Sequence, residues 1–444
     1  MSSPERVPSP LQSPQLRRIL AAYTVNRLGT WFGLVALSLA VFDHTHSALA
    51  VAALLFAWEA LPAFVGPAIV ARVETSRRRS ELSGLYVFEA LATASLAVML
   101  WHFWLPAVLL LAALDGTAAL AASSLLRAEV ARAARDQVEE QLRSAVHPGE
   151  SREEQAHEAE RKANAALNVA FSTTFVAGPV LAGVLVAAAG APAALFIDVG
   201  SFLICGALLL DLHPHVEEAG GDSVRARLRA AWRHVNEVPS LRGLLMVDAV
   251  ALLFFASAGP IEVTYAKATL HAGDRGFGLL LTAWGAGTVF GSLVFARLLR
   301  LPLGAMLSAG ALAIGLAYLG FAAAPSLTPA CVAAFIGGVG NGVELPSLIS
   351  IVQRLTPRHL HGRLMGAVES LTALSVAIGL PLGGALVALS SPRAAFVAVG
   401  LGTTATSVAL FRISRGAPEP AVDSSEHAAS TTRPPGAPPE PASK

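Results

Sequence analysis

Leu181-Ala182-Gly183-Val184-Leu185-Val186-Ala187 returns 201 residues later as Leu382-Gly383-Gly384-Ala385-Leu386-Val387-Ala388, and both stretches lie inside long apolar runs. A second pair, Phe64-Val65-Gly66 through Ala71-Arg72 and Val289-Phe290-Gly291 through Ala296-Arg297, recurs at an offset of 225. The offsets differ by 24, as an insertion of 24 residues between the two motifs of the first copy would produce, and an Arg/Glu-rich segment over 127–164 stands there. Asp115-Gly116 and Asn341-Gly342, on the near side of that segment, recur at 226. The chain reads as one unit written twice.

What the unit is follows from its solvent. The chain has 444 residues, 54% of them hydrophobic and 14% charged, with a mean hydropathy of +0.57, which marks a membrane protein. A bilayer core takes roughly 20 residues of helix. On that ruler the apolar runs give twelve spans, near 18–42, 47–71, 82–101, 104–126, 166–188, 192–212, 242–266, 276–299, 303–323, 328–352, 364–389 and 392–413. This predicts an all-α membrane protein of two pseudo-symmetric six-helix bundles, 18–212 and 241–414, joined by a linker over 213–240. The tails 1–17 and 415–444 are too polar and Pro/Ser-rich to bury a core, and disorder is expected there. The inserted segment 127–164 is expected to extend the fourth span as a helix and to add a second short one.

Arginine placement orients the bundle. The even loops carry Arg72, Arg77, Arg78 and Arg79, then Arg225, Arg227, Arg229 and Arg233, then Arg297 and Arg300, then Arg354, Arg358 and Arg363; the odd loops carry little beyond Lys267, Arg275 and Arg393. Both termini are expected to be cytoplasmic, in a multi-pass protein of the cytoplasmic membrane.

Three short motifs resemble the major facilitator superfamily, in the branch that holds macrolide-efflux and enterobactin-exporter-like proteins. Gly66-Pro67, Ala71-Arg72 and Arg77-Arg78-Arg79 follow span two, with Ala71 where the family carries an acid. Asn164, then Gly178-Pro179 with Gly183, resembles a shortened antiporter motif in span five. Gln353, Pro357, Gly362-Arg363 and Gly366 precede span eleven. The resemblance implies that Gly66, Arg72, Arg77, Arg78, Gly362 and Arg363 serve a cytoplasmic gate, and that Gly178, Pro179 and Gly183 mark an exporter. It also implies that spans one, four, seven and ten line a central cavity.

An ionisable group near the bilayer centre costs at least about 2.5 kcal/mol and needs a partner or water. On the cavity spans stand Arg27, Asp115, Asp248 and Glu344, with the polar neighbours Asn26 and Asn341. Arg27 and Asp115 lie about nine and eleven residues into their spans, both near mid-depth at 1.5 Å per residue, so a pair is expected, opened by a proton or by substrate. Glu59, midway along span two beside Trp58 and before Pro62, is expected to carry protons. Glu89 and Asp198, nearer span ends, are read as interface groups. Trp31, Phe32, Phe254, Phe255 and Trp284 are candidates for the lining of an amphipathic cargo site, for which an acid-rich cavity favours cationic or neutral chemistry.

Walker-type phosphate loops are absent, so no nucleotide is an expected partner; the charges are spread by loop and gather on no one patch, so no nucleic acid is expected either, and the proton gradient stands in for a cofactor. The two cysteines, Cys205 and Cys331, and the twelve scattered histidines offer no metal site by spacing. The reading is not an enzyme but a monomeric secondary transporter, embedded in the lipid bilayer, that exports a small amphipathic molecule against inward proton flow. The sequence leaves open a siderophore exporter, an importer or lipid-type transporter on the same fold, and a non-transporting membrane sensor or assembly protein.

Overall fold

Local chemistry starts and stops the helices where the apolar runs begin and end. The computed structural model describes residues 13–64, 81–144, 151–210, 232–298, 300–357 and 360–416. α1 (Pro14–Thr45) opens where Ser13 Oγ accepts the Leu16 N–H at 3.3 Å and closes at His46, whose φ of 50° turns the chain. α2 (Ala48–Leu55) is capped by Ser47 and continues through a π-helical turn, Phe56–Ala60. Then come α3 (Glu81–Met99), α4 (Leu105–Ser144), α5 (Ser151–Ala189) and α6 (Ala191–Leu208).

The second half repeats the series with α7 (Pro239–Thr264, extended by a π-helical turn Tyr265–Thr269), α8 (Gly273–Arg297), α9 (Leu303–Ala323), α10 (Leu327–Arg354), α11 (His361–Leu389) and α12 (Pro392–Gly416). Eleven helices among the described residues are long and apolar enough to cross a bilayer; span two is described only over Ala48–Phe64. The short helix expected within 127–164 is not separate: α4 runs on to Ser144, and α5 begins at Ser151 and continues unbroken into its span.

The duplicated motif has a physical role. Gly183 of α5 lies against α8, where a Cβ would stand 2.9 Å from the Asp274 carbonyl oxygen and 3.0 Å from Gly278 Cα. Gly384 of α11 lies against α2, where a Cβ would stand 3.1 Å from the Ala48 carbonyl oxygen and 2.8 Å from Ala52 Cβ. Asp274 and Gly278 follow Ala48 and Ala52 by 226 residues, the offset of the Asp/Asn-Gly pair. One close crossing is therefore built twice, each time joining the two halves near the odd-loop end. Small residues permit such backbone approach in lipid, where packing rather than water drives helices together.

Each half also has its own core. In the second, Tyr265 Oη donates to the Phe321 carbonyl at 2.6 Å, and Tyr265, Tyr318, Phe321 and Phe396 form a closed aromatic cluster.

Candidate functional site

Between the halves a chamber of about 270 Å³ is walled by Leu34, Leu55, Glu59 and Phe175 from the first half and by Phe255, Glu262, Phe277, Trp284, Tyr318 and Leu380 from the second. It adjoins a cavity of about 410 Å³ lined by Asn26, Arg27, Trp31, Trp58, Glu59, Gly116 and Phe175, which reaches Ser123 and Leu126 toward the even-loop end. Glu59, Leu34 and Phe175 face both.

The π-helical turn sets Glu59. By inserting one residue into the repeat, Phe56–Ala60 directs Glu59 into the chambers, where it is exposed, and turns the Trp58 ring beside it. Trp284 stacks on Tyr318, with centroids 5.8 Å apart and planes at 17°, and Phe255 packs against its other side at 5.8 Å, so an aromatic wall faces Glu59 across the gap. Trp31 lies over Gly178 and meets the Phe175 ring edge at 5.3 Å. Arg27 places its guanidinium 5.1 Å above the Phe171 ring.

Several expectations change. Asp115 is not a cavity residue and does not pair with Arg27. It is 4% exposed, Thr93 Oγ1 donates to it at 3.0 Å and Trp58 Nε1 at 3.1 Å, and Gly116 next to it packs under the Trp58 carbonyl. Counting along α4 gives no azimuth, and that face of the helix is turned to α2 and α3. Phe254 points into the second half, against Gly402 of α12, whereas Phe255, also expected to line the cavity, is in the chamber wall. Asp248 and Glu344 are half-buried and near enough for their charges to interact, but neither lines the two chambers, and nor does Asn341.

Glu89 and Asp198 are not at the bundle surface. They are 0% and 2% exposed, in the interior of the first bundle. Gly66, Arg72, Arg77 and Arg78 lie outside the described residues, and Gly362 and Arg363 fall in the first turn of α11.

Two features were missed. Glu262, within Pro260-Ile261-Glu262 on α7, lines the central chamber; it was not singled out in the sequence. Lys267 was counted only as an odd-loop charge. It joins the halves, bonding Asp43 of α1 at 2.7 Å and Asp274 of α8. The proline two residues before Glu262 was the signal available for the first; Asp43, 224 residues from Lys267, gave none for the second.

A duplicated helical membrane protein with an acid-bearing chamber between its halves has the architecture of a two-bundle carrier. Residues 244–441 match the family model for the Major Facilitator Superfamily. A multidrug efflux pump, Tap, from Mycolicibacterium fortuitum is 28% identical over 252 residues, covering 54% of this chain and 60% of that one. The chain thus spans about three fifths of the curated relative it matches. A bacterial homologue of the iron transporter ferroportin, solved inward-facing, superposes with a TM-score of 0.66 at 19% identity, over 90% of this chain and 98% of that one. A bacterial homologue of the lysosomal transporter Spinster, also inward-facing, gives 0.63 at 13% over 91% and 98%. Residues 244–441 are thus similar to the Major Facilitator Superfamily, and the two solved transporters share the fold over about nine-tenths of the chain.

Proposed function

We propose that this protein exports a small amphipathic molecule, cationic or neutral, by alternating access, driven by protons flowing inward. The observation that carries this reading is the chamber shared by both halves, in which Glu59 faces an aromatic wall and Glu262 adds a second acid. Aromatic faces favour flat apolar cargo, and two carboxyl groups favour positive charge or protons over anions. The likeness to a protein named as a multidrug efflux pump supports the same class.

The state of the molecule fits one half of a transport cycle. The Asp43–Lys267–Asp274 clasp and the two glycine crossings close the odd-loop end, while the larger cavity runs toward the even-loop end. By the positive-inside count that end is cytoplasmic, which makes this the inward-facing form. Substrate enters beside Trp31 and Phe175, and a proton on Glu59 competes with cationic cargo for the same carboxylate.

A strain lacking the gene and expressing the full chain from a plasmid tests this against a panel of toxic amphipathic compounds. Wild type should restore tolerance to cationic lipophiles, and Glu59→Gln should lose it at equal membrane abundance. Equal tolerance with and without the plasmid across the panel would remove export of this class.

A further inference from the structure

The first bundle holds three carboxyl groups that the chamber does not use. Glu89 of α3, Asp115 of α4 and Asp198 of α6 are 0%, 4% and 2% exposed, and they lie close enough for the charge of each of the two aspartates to act on Glu89. Their hydrogen-bond donors are unequal. Asp115 has two, Thr93 and Trp58; Asp198 has Ser201 Oγ at 3.0 Å; both oxygens of Glu89 are buried with no hydrogen-bond partner. The other titratable groups whose charges act on or are acted on by Glu89 are Tyr86, whose hydroxyl is also buried without a partner, and Cys205, whose thiol is directed to the Ala22 carbonyl; no cation among the described residues is one of them.

An ionised carboxylate accepts only, so three of them together, one with no donor at all, cannot all stay charged in a medium of low dielectric. Protonation cancels one negative charge per proton and turns an acceptor into a donor. The three are not grouped at metal-ligand spacing among the described residues, which leaves the proton as the ligand. The packing is shaped for them: α1 offers Gly29 and Gly33 where a Cβ would collide with or crowd the Asp198 carboxylate. One wall is thin. The Trp58 indole bonds Asp115, its ring lies beside Gly33 near Asp198, and the same residue lines the larger cavity next to Glu59.

We infer that Glu89, Asp115 and Asp198 form a proton-binding site inside the first bundle, separate from Glu59, with Trp58 as the movable partition between this site and the cavity. The inference deepens the proton-driven reading above and rests on it for its purpose, though not for its existence. A shift of the π-helical turn that moves Trp58 uncovers Asp115 and admits water to the site.

Infrared difference spectroscopy of the purified full chain in lipid, acid minus alkaline, with deuterium exchange to mark carboxylic acid bands, tests it. A component should be lost in Glu89→Gln and kept in Glu59→Gln, and Asp198→Asn should move its titration midpoint. A Glu89→Gln spectrum identical to wild type overturns the site; should that variant not fold, an unmoved midpoint in Asp198→Asn does so. Loss of the component in a protein that moves no cargo under any gradient would leave the site standing and sink the transport reading, while gradient-driven transport with an unchanged Glu89→Gln spectrum would do the reverse.

Discussion

Glu59 and Asp115 show how one helical turn separates two fates for an acid in oil. Counting from the span ends puts both near mid-span, but the π-helical turn aims Glu59 at the chamber, while Asp115 is turned inward to Thr93 and Trp58. Trp58→Phe removes one of the two donors to Asp115 and shrinks the ring, so beyond a packing cost that does not depend on pH it should cost about 1–3 kcal/mol if the acid stays charged and less if it is neutral. Thermal unfolding of the two proteins in detergent at acid and neutral pH measures the difference; the penalty should shrink in acid. Gly29 makes a steric prediction. A Cβ there would collide with the Asp198 carboxylate and Ser201 Oγ, so Gly29→Val should destabilise by about 1–3 kcal/mol or more, seen as a lower melting temperature and reduced recovery from size-exclusion chromatography.

At the scale of helices, the two crossings α5–α8 and α2–α11 hold the halves together, and the Asp43–Lys267–Asp274 clasp ties α1 to the α7–α8 turn at the same end. Lys267→Ala should raise the labelling rate of a cysteine placed at Ser38 by a membrane-impermeant thiol reagent added from the odd-loop side, because Ser38 lines the chamber just beneath the closure. An unchanged rate would mean that the glycine crossings alone seal that end. These elements were the most legible part of the chain. Lipid demands that backbone polar groups be satisfied within a helix, so a long apolar run has little choice of structure. Close helix crossings demand glycine, so Gly183 and Gly384 stood out by repetition. Azimuth was not legible in the same way. Linear counting gives depth alone, and whether Asp115, Asp198 or Phe254 faces a chamber or a neighbour depends on how helices distant in sequence pack. Glu262 was not singled out in the sequence; α7 continues past it as a π-helical turn, and it lines the chamber.

Taken whole, the molecule is two similar bundles hinged about a chamber with acids at its centre and a closure at one end. Under the proposed alternating-access cycle, the contacts that close the odd-loop end, built once from each half, would part as the halves rock. The fold was legible because pattern and motifs lie along the chain, whereas the proposed cargo would be selected by a wall of Phe175, Phe255, Trp284 and Tyr318, drawn from four separate helices. The most direct test reconstitutes the full chain in sealed vesicles containing a lipophilic cationic dye and imposes a proton gradient in each direction. The account predicts dye movement opposite to the protons, reversing when the gradient is reversed and falling to the rate of protein-free vesicles in Glu59→Gln. Dye flux that is indifferent to the gradient, or that survives in Glu59→Gln at the wild-type rate, would contradict it.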